Sequence, residues 1–453
     1  MKSPIQYFST NQRSEPVTFT DALLKGLADD GGLFMPSSIP IIDKMDIDKM
    51  SEQDYPEIAF NVLDRIIGDE IDNDRLKAIC NEAYNFDIPL EHVTDRRFIL
   101  RLDQGPTASF KDFAARMMSR LMQYRLSKEN REVTILTATS GDTGSAVANS
   151  FHGLKNIKVV ILFPIAEVSD MQRKQMTTLG QNVSVIGLDG KFDDCQRLVK
   201  SAFTDQFFNN AGLSSANSIN IGRLLPQSVY YFYSWSRLRN STDNDIIFSV
   251  PSGNFGNLMG GIIAKKMGLP VRKFVVSTNA NDEVPEFLRT SNYEPISPSI
   301  NCISSAMNVG HPSNLARIIS LYGGDMNEKG EIKKSPDFLK LREDLFGVSI
   351  TDEDTRNTIL DVYKNFGTIL EPHGAVAWKG LAEYFNSNPN NLNQLSVSLE
   401  TAHPGKFPDE IKKITGVEPD IPKSLDGLYK KTESYITMEN SYERFKQVLL
   451  DII

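Results

Sequence analysis

The sequence predicts an α/β fold, a mainly parallel sheet covered by helices on both faces, with a small helical module before it. Two observations carry the prediction. From Arg131 onward, apolar β-rich runs alternate with helical patterns, which implies right-handed βαβ crossovers. The 453 residues, 40% hydrophobic and 24% charged, suit one large α/β body or two to three domains and exclude collagen, coiled-coil arrays and wholesale disorder.

Within residues 1–90, the segments Thr20 to Ala28, Pro56 to Ile67 and Asp74 to Tyr84 have helical periodicity, broken by turn signals such as Asp30-Gly31-Gly32. Next, Phe110, Phe113, Ala114, Met117, Met118 and Leu121 form a helix stripe, with Ser109 the expected N-cap and Asp112 closing a shortened capping box. The strand VTILTAT then leads to the helix SAVANSF, KVVILFP to a segment around MQRKQM, and VSVIGL to FDDCQRLVKSAF. IIFSV leads to LMGGIIAKKMG, and VRKFVVST follows. LSVSL reads as a late strand, Asn386 to Asn393 as a polar loop, and residues 421–453 as a C-terminal helical tail.

The net charge of −9, with no basic block, argues against a nucleic-acid partner, and an anionic small molecule would need a locally built site. Cys80, Cys195 and Cys302 are scattered without a CxxC, which suits reduced thiols in the cytoplasm rather than disulfides or zinc. His92, His152, His311, His373 and His403 form no HExxH pair, so no metal is expected. The apolar stretch Val159 to Phe163 is too short for a bilayer and MKSPIQYFSTNQR has no apolar signal core, so neither membrane anchor nor export is expected.

Several loops carry chemistry. Lys111 falls in the first turn of its helix, where the dipole disfavours an ammonium ion; that suits a neutral amine able to attack a carbonyl and hold it as a Schiff base. A solvated first-turn lysine is the plainer alternative. Ser140-Gly141-Asp142-Thr143-Gly144 opens a helix and offers N–H groups to a carboxylate, or is simply a tight turn capped by Asp142 or Thr143. Between IIFSV and its helix, Gly253, Asn254, Phe255, Gly256 and Asn257 make a cradle of donors for a phosphate monoester. A turn with a C-cap would use one of these glycines and leave the repeated Gly-Asn without a purpose. His403, in a Pro-Gly loop, reads as structural more readily than as a general base.

Eight segments in one order, DGGLFMP, ASFKDFAAR, TATSGDTGSAVA, SANSINIGRLLPQ, VPSGNFGNLMGG, HPSNLARI, EPHGAVA and ETAHPGKFP, resemble the threonine synthase family, pyridoxal-phosphate enzymes of the tryptophan synthase β type. The resemblance covers nearly the whole chain. It implies a family module over 1–90 and a catalytic region over 91–420 made of two doubly wound α/β subdomains. It implies pyridoxal 5'-phosphate as cofactor, with Lys111 carrying it, Gly253 to Asn257 binding its phosphate and Thr401 facing its pyridine nitrogen. Ser140 to Gly144 match the loop for the amino-acid carboxylate. A neutral hydroxyl at the ring nitrogen, unlike a carboxylate, does not enforce a pyridinium, which favours elimination and replacement over transamination.

The implied reaction is γ-elimination and β-replacement on O-phospho-L-homoserine with water, yielding L-threonine and phosphate, the last step of threonine biosynthesis. Arg223 and Lys174 are candidates for the substrate phosphate, since cationic side chains match it. The alternatives are a related phospholyase or dehydratase releasing a 2-oxo acid and ammonia, and a binding protein without chemistry. The chain departs from the family pattern at Asn11, where an arginine is usual and Arg13 is the nearest, at Ile221, usually aromatic, and at Asp142, often asparagine in related enzymes. Its start leaves no room for the amino-terminal regulatory extension of plant relatives, so activation by S-adenosylmethionine is not expected. No interface is readable, which leaves monomer and homodimer open.

Overall fold

The computed structural model describes residues 5–208, 211–239 and 245–453. Residues 1–4, the start of the segment read above for an export signal, lie outside them. The chain begins with an antiparallel ribbon of β1 (Tyr7–Ser9) and β2 (Phe34–Pro36) among the helices Phe19–Lys25, Lys44–Lys49, Tyr55–Ile67 and Asn73–Ala83. The first module is therefore helical with a small ribbon. Its third helix starts where expected because Asp54 and Glu57 form a capping box ahead of a proline in the first turn.

A hairpin of β3 (Leu90–Thr94) and β4 (Arg97–Arg101) follows, then the helix Lys111–Glu129. The next strands are β5 (Val133–Ala138), β6 (Ile157–Pro164), β7 (Val183–Asp189) and the short β8 (Leu213–Ser214). After them come β9 (Ile246–Pro251), β10 (Val271–Thr278), the small pair β11 (Asp325–Met326) and β12 (Ile332–Lys334), β13 (Leu345–Ser349), β14 (Ser396–Glu400) and β15 (Ile436–Glu439).

These strands make two large sheets. One runs β15-β7-β6-β5-β8, parallel throughout; the other runs β13-β10-β9-β14-β4-β3 and is parallel except for the β3–β4 hairpin. The first is doubly wound, as its alternate residues show. Ile135, Val159 and Ile161 join the core shared with Val147 and Met176, whereas Leu136, Val160 and Leu162 join Leu198, Phe445 and Leu449 on the opposite face. Strand order reverses at β5, which lies between β6 and β8, and again where β14 inserts between β9 and β4. Such reversals open a crevice at the carboxyl ends of the strands.

Two expectations need correction. Residues 421–453 are not only a helical tail: β15 extends the first sheet alongside β7, and the helix Tyr442–Ile452 then covers it. The helix Lys111–Glu129 is buried around its whole circumference from Asp112 to Ser119 rather than along one stripe, because the N-terminal module packs on it as well. Tyr84 donates to the Phe113 carbonyl at 3.2 Å, and Arg116 donates to the Ala83 and Glu82 carbonyls at 2.6 and 2.9 Å, closing the C-terminal end of the preceding helix. Among the described residues no helix is long and apolar enough to cross a membrane.

Candidate active site

A cavity of about 570 Å³ opens at the two strand-order reversals. It is lined by the start of the helix Lys111–Glu129, the turn after β5, the loop after β9, Thr401 after β14 and Arg223. The loops singled out in the sequence thus meet in one place.

Lys111 falls in the first turn of its helix, as expected, and is its first residue; the cap differs from the expected one. Phe110 occupies the N-cap position without a side-chain bond, the Ser109 hydroxyl has no partner, and the Asp112 carboxylate turns back to the Thr107 hydroxyl and N–H at 2.7 and 2.8 Å. The residues before the helix pair instead with the strand end. Phe110 N–H donates to the Thr401 carbonyl at 2.9 Å and His403 N–H to the Ala108 carbonyl at 3.1 Å. Lys111 and Thr401 therefore hold a fixed separation through one backbone bond. The Lys111 ammonium lies 4.4 Å from the Phe110 ring centroid, and burial, with Arg223 and Lys406 as neighbouring cations, lowers its pKa to about 8 against the pull of Asp142.

In the loop after β9, Phe255 adopts left-handed backbone angles (φ 60°, ψ 10°) and caps the helix Gly256–Lys266 without a side-chain bond. The N–H groups of residues 253–257 donate to no acceptor among the described residues. Asn257 is buried; its Oδ1 accepts the Tyr230 and Tyr231 hydroxyls at 2.6 and 2.7 Å, while its Nδ2 is unpartnered. A ring of unused donors at a helix start is what an anionic ligand requires. Gly253 has a further reason to be glycine, since a Cβ there would sit 2.8 Å from Met307 Cα.

The turn after β5 is partly committed. The Thr139 hydroxyl accepts the Gly141 and Gly144 N–H groups at 2.9 and 2.8 Å, which leaves Ser140, Asp142 and Thr143 as its donors. The Asp142 carboxylate is taken by the buried Lys406 ammonium at 2.5 Å and the Gln172 amide at 2.9 Å, and that ion pair holds it below the usual carboxylate range. Asp142 thus fastens the turn to the ETAHPGKFP segment.

Arg223 is 3% exposed on the short helix Ile221–Leu224, donates to the Ala216 carbonyl at 2.6 Å and has an unpartnered Nε. Burial lowers its pKa to about 10. A buried cation on a cavity wall with unused hydrogen-bonding capacity is suited to an anion. Lys174 is not so placed: it lies outside the cavity, 3.5 Å from Glu433 and 3.3 Å from the Lys431 carbonyl, because the C-terminal segment folds back over its helix. Arg13, near the unusual Asn11, likewise faces Asp30 and Glu328. His403 stays structural; its Nδ1 accepts the Gly405 N–H and burial lowers its pKa to about 4.

Sequence reasoning missed three participants. His373 lines the cavity, Glu371 beneath it caps the helix Pro372–Ser387, and Lys406 pairs with Asp142. Their segments were recognised, and the Glu-Pro start of EPHGAVA was a readable cap; but Thr401 lies 30 positions from Glu371, Ala306 67 from His373 and Asp142 264 from Lys406, beyond any local pattern.

Comparison with known proteins is consistent across the chain. Residues 6–84 match the family model for the threonine synthase N terminus, 89–391 that for pyridoxal-phosphate dependent enzymes, and 375–449 that for the threonine synthase C-terminal region. A threonine synthase from Serratia marcescens is 39% identical over 422 residues, 93% of each chain. Among solved structures, the pyridoxal-phosphate-bound threonine synthase from Brucella melitensis superposes with a TM-score of 0.92 at 35% identity, covering 99% of both chains. That from Escherichia coli gives 0.88 at 37%, covering 98% of this chain and 99% of the other.

Proposed function

The chain belongs to the threonine synthase family, and from that premise we propose that its cavity converts O-phospho-L-homoserine and water to L-threonine and phosphate. It is a pyridoxal-phosphate-dependent carbon–oxygen lyase. The observation that carries the residue assignments is that Lys111, the donor loop 253–257 and Thr401 border one cavity, with Lys111 and Thr401 linked through Phe110. The unused N–H groups and the orphaned Asn257 amide fit the cofactor's phosphate monoester, and a lysine lowered to about 8 fits an amine that must react unprotonated.

When bound, pyridoxal phosphate supplies the electron sink that lets protons leave the substrate's α and β carbons. Lys111 would hold the cofactor, and its amine, when free, would move the substrate's α proton. Residues 253–257 and the Asn257 side chain would anchor the cofactor's phosphate, and Thr401 would face its ring nitrogen. Ser140 and Thr143, with the Asp142 N–H, receive the substrate carboxylate, while Arg223 grips the γ-phosphate until it departs.

We place the protein in the cytoplasm, a reading supported by its three free thiols. Product identification tests the reaction. The purified chain, loaded with cofactor and given phosphohomoserine, is expected to release threonine and phosphate; a 2-oxo acid with ammonia would instead support the phospholyase reading.

A further inference from the structure

We propose that Arg317 is a positioning residue for the cofactor's phosphate: it sets the backbone of the loop 253–257 through Asn314, and the phosphate supplies the counter-charge that no described residue gives its guanidinium. The inference rests on the reading above that this loop holds the phosphate, and adds to it a residue that does not line the cavity.

Arg317, on the helix Leu315–Leu321, is fully buried. Its guanidinium donates to the Phe34, Ser218 and Ile219 carbonyls at 3.1, 3.2 and 2.6 Å and to Asn314 Oδ1 at 2.7 Å. All four acceptors are neutral. Among the described residues no carboxylate pairs with it, and burial, unopposed by any anion, lowers its pKa to about 9. Arg101, also largely buried, instead has Glu91 and Asp103 at 3.1 and 3.8 Å. Carbonyl oxygens satisfy the donors of a guanidinium but leave its charge standing, and an anion settling nearby relieves the cost of burying it.

The loop 253–257 is one side chain away. Asn314 stands at the N-cap of the helix, where an asparagine oxygen ordinarily accepts an N–H of the first turn, yet it makes no such bond. A guanidinium has donors only, so it draws Oδ1 toward itself and leaves Nδ2 for the other side. Nδ2 donates to the Asn254 carbonyl at 2.9 Å and to the Ser218 carbonyl at 3.3 Å, and a Cβ added at Gly256 would lie 3.6 Å from it. Across a trans peptide the C=O and the following N–H point in opposite directions, so holding the Asn254 carbonyl aims the Phe255 N–H away from Asn314. The same bond steadies Phe255 in its left-handed conformation (φ 60°), which a phenylalanine adopts only at a cost.

The test compares the cofactor with and without its phosphate. Apoprotein is titrated with pyridoxal phosphate and with pyridoxal, and the ratio of the two affinities is read from absorbance. Arg317→Met removes the charge; Asn314→Asp gives the guanidinium a carboxylate and takes the donor from the Asn254 carbonyl. Each is expected to weaken pyridoxal phosphate on the order of tenfold or more and to leave pyridoxal near its wild-type affinity. Gly253→Ala, which disturbs the loop directly, is the reference. An arginine with only a structural role would weaken both ligands alike. If Gly253→Ala lowers the ratio while Asn314→Asp, or Arg317→Met where that variant folds, leaves it at the wild-type value, the proposal is overturned and the loop assignment stands. An unchanged ratio in Gly253→Ala removes the loop assignment and the proposal with it.

Discussion

Under the proposed function Lys111 reacts as a free amine, and its surroundings favour that form. The helix start alone shifts an ammonium modestly; enclosure, together with Arg223 and Lys406, brings it to about 8. Because the neutral form is the reactive one, the rate of cofactor capture by the apoprotein should rise with pH and level off above about 8, as followed by stopped-flow absorbance. A rate independent of pH between 6 and 9 would contradict this. Arg223 is the second residue on which the reading depends. Each hydrogen bond to a charged group contributes about 1.5–3 kcal/mol, so Arg223→Ala should raise the KM for phosphohomoserine on the order of 10- to 100-fold. Cofactor absorbance should persist, and unchanged steady-state kinetics would remove Arg223 from the site. At both residues the proposed role was readable from residue type and segment, whereas the causes of the shifts were not, because the responsible neighbours come from other parts of the chain.

The loop after β9 shows how one element answers two demands at once. Its residues line the cavity while Gly253 packs against the backbone of residues 306–307. Gly253→Ala would drive a methyl to 2.8 Å from Met307 Cα, a contact with backbone that cannot rotate away. Overpacking of this kind costs about 1–3 kcal/mol. The expected result is weaker cofactor binding on the order of tenfold or more in a fluorescence titration, with little change in helix content. An affinity equal to wild type would show that the close approach is relieved at no cost. The turn after β5 was read correctly as a helix start and incorrectly in its detail. Thr139 takes two of the N–H groups that the sequence offered to a ligand, and Asp142 is claimed by Lys406 from 264 positions away.

Across the molecule, the site exists because two sheets present their carboxyl ends to a common cavity. Strands β5 to β8 of the first sheet are inserted between β4 and β9 of the second, so the helix Lys111–Glu129 joins one to the other. The C-terminal segment completes the first sheet: β15 protects the β7 edge and Phe445 is fully buried with Leu198 and Leu449. Phe445→Ala should therefore lower stability by about 3–5 kcal/mol, measured as a drop in urea midpoint, although the residue is remote from the chemistry. A midpoint shift below about 1 kcal/mol would mean that the segment is an accessory rather than part of the core.

By itself the sequence determined the βα alternation, the loops that carry reactive groups and the family, because periodicity, turn residues and short motifs are local. The tertiary structure alone decided that Lys174 pairs with Glu433 outside the cavity, that Asp142 pairs with Lys406, and that Glu371 lies 3.3 Å from the Thr401 hydroxyl. Those outcomes depend on which distant charge or donor arrives beside a buried group, and burial magnifies each such encounter by removing the water that would otherwise screen it.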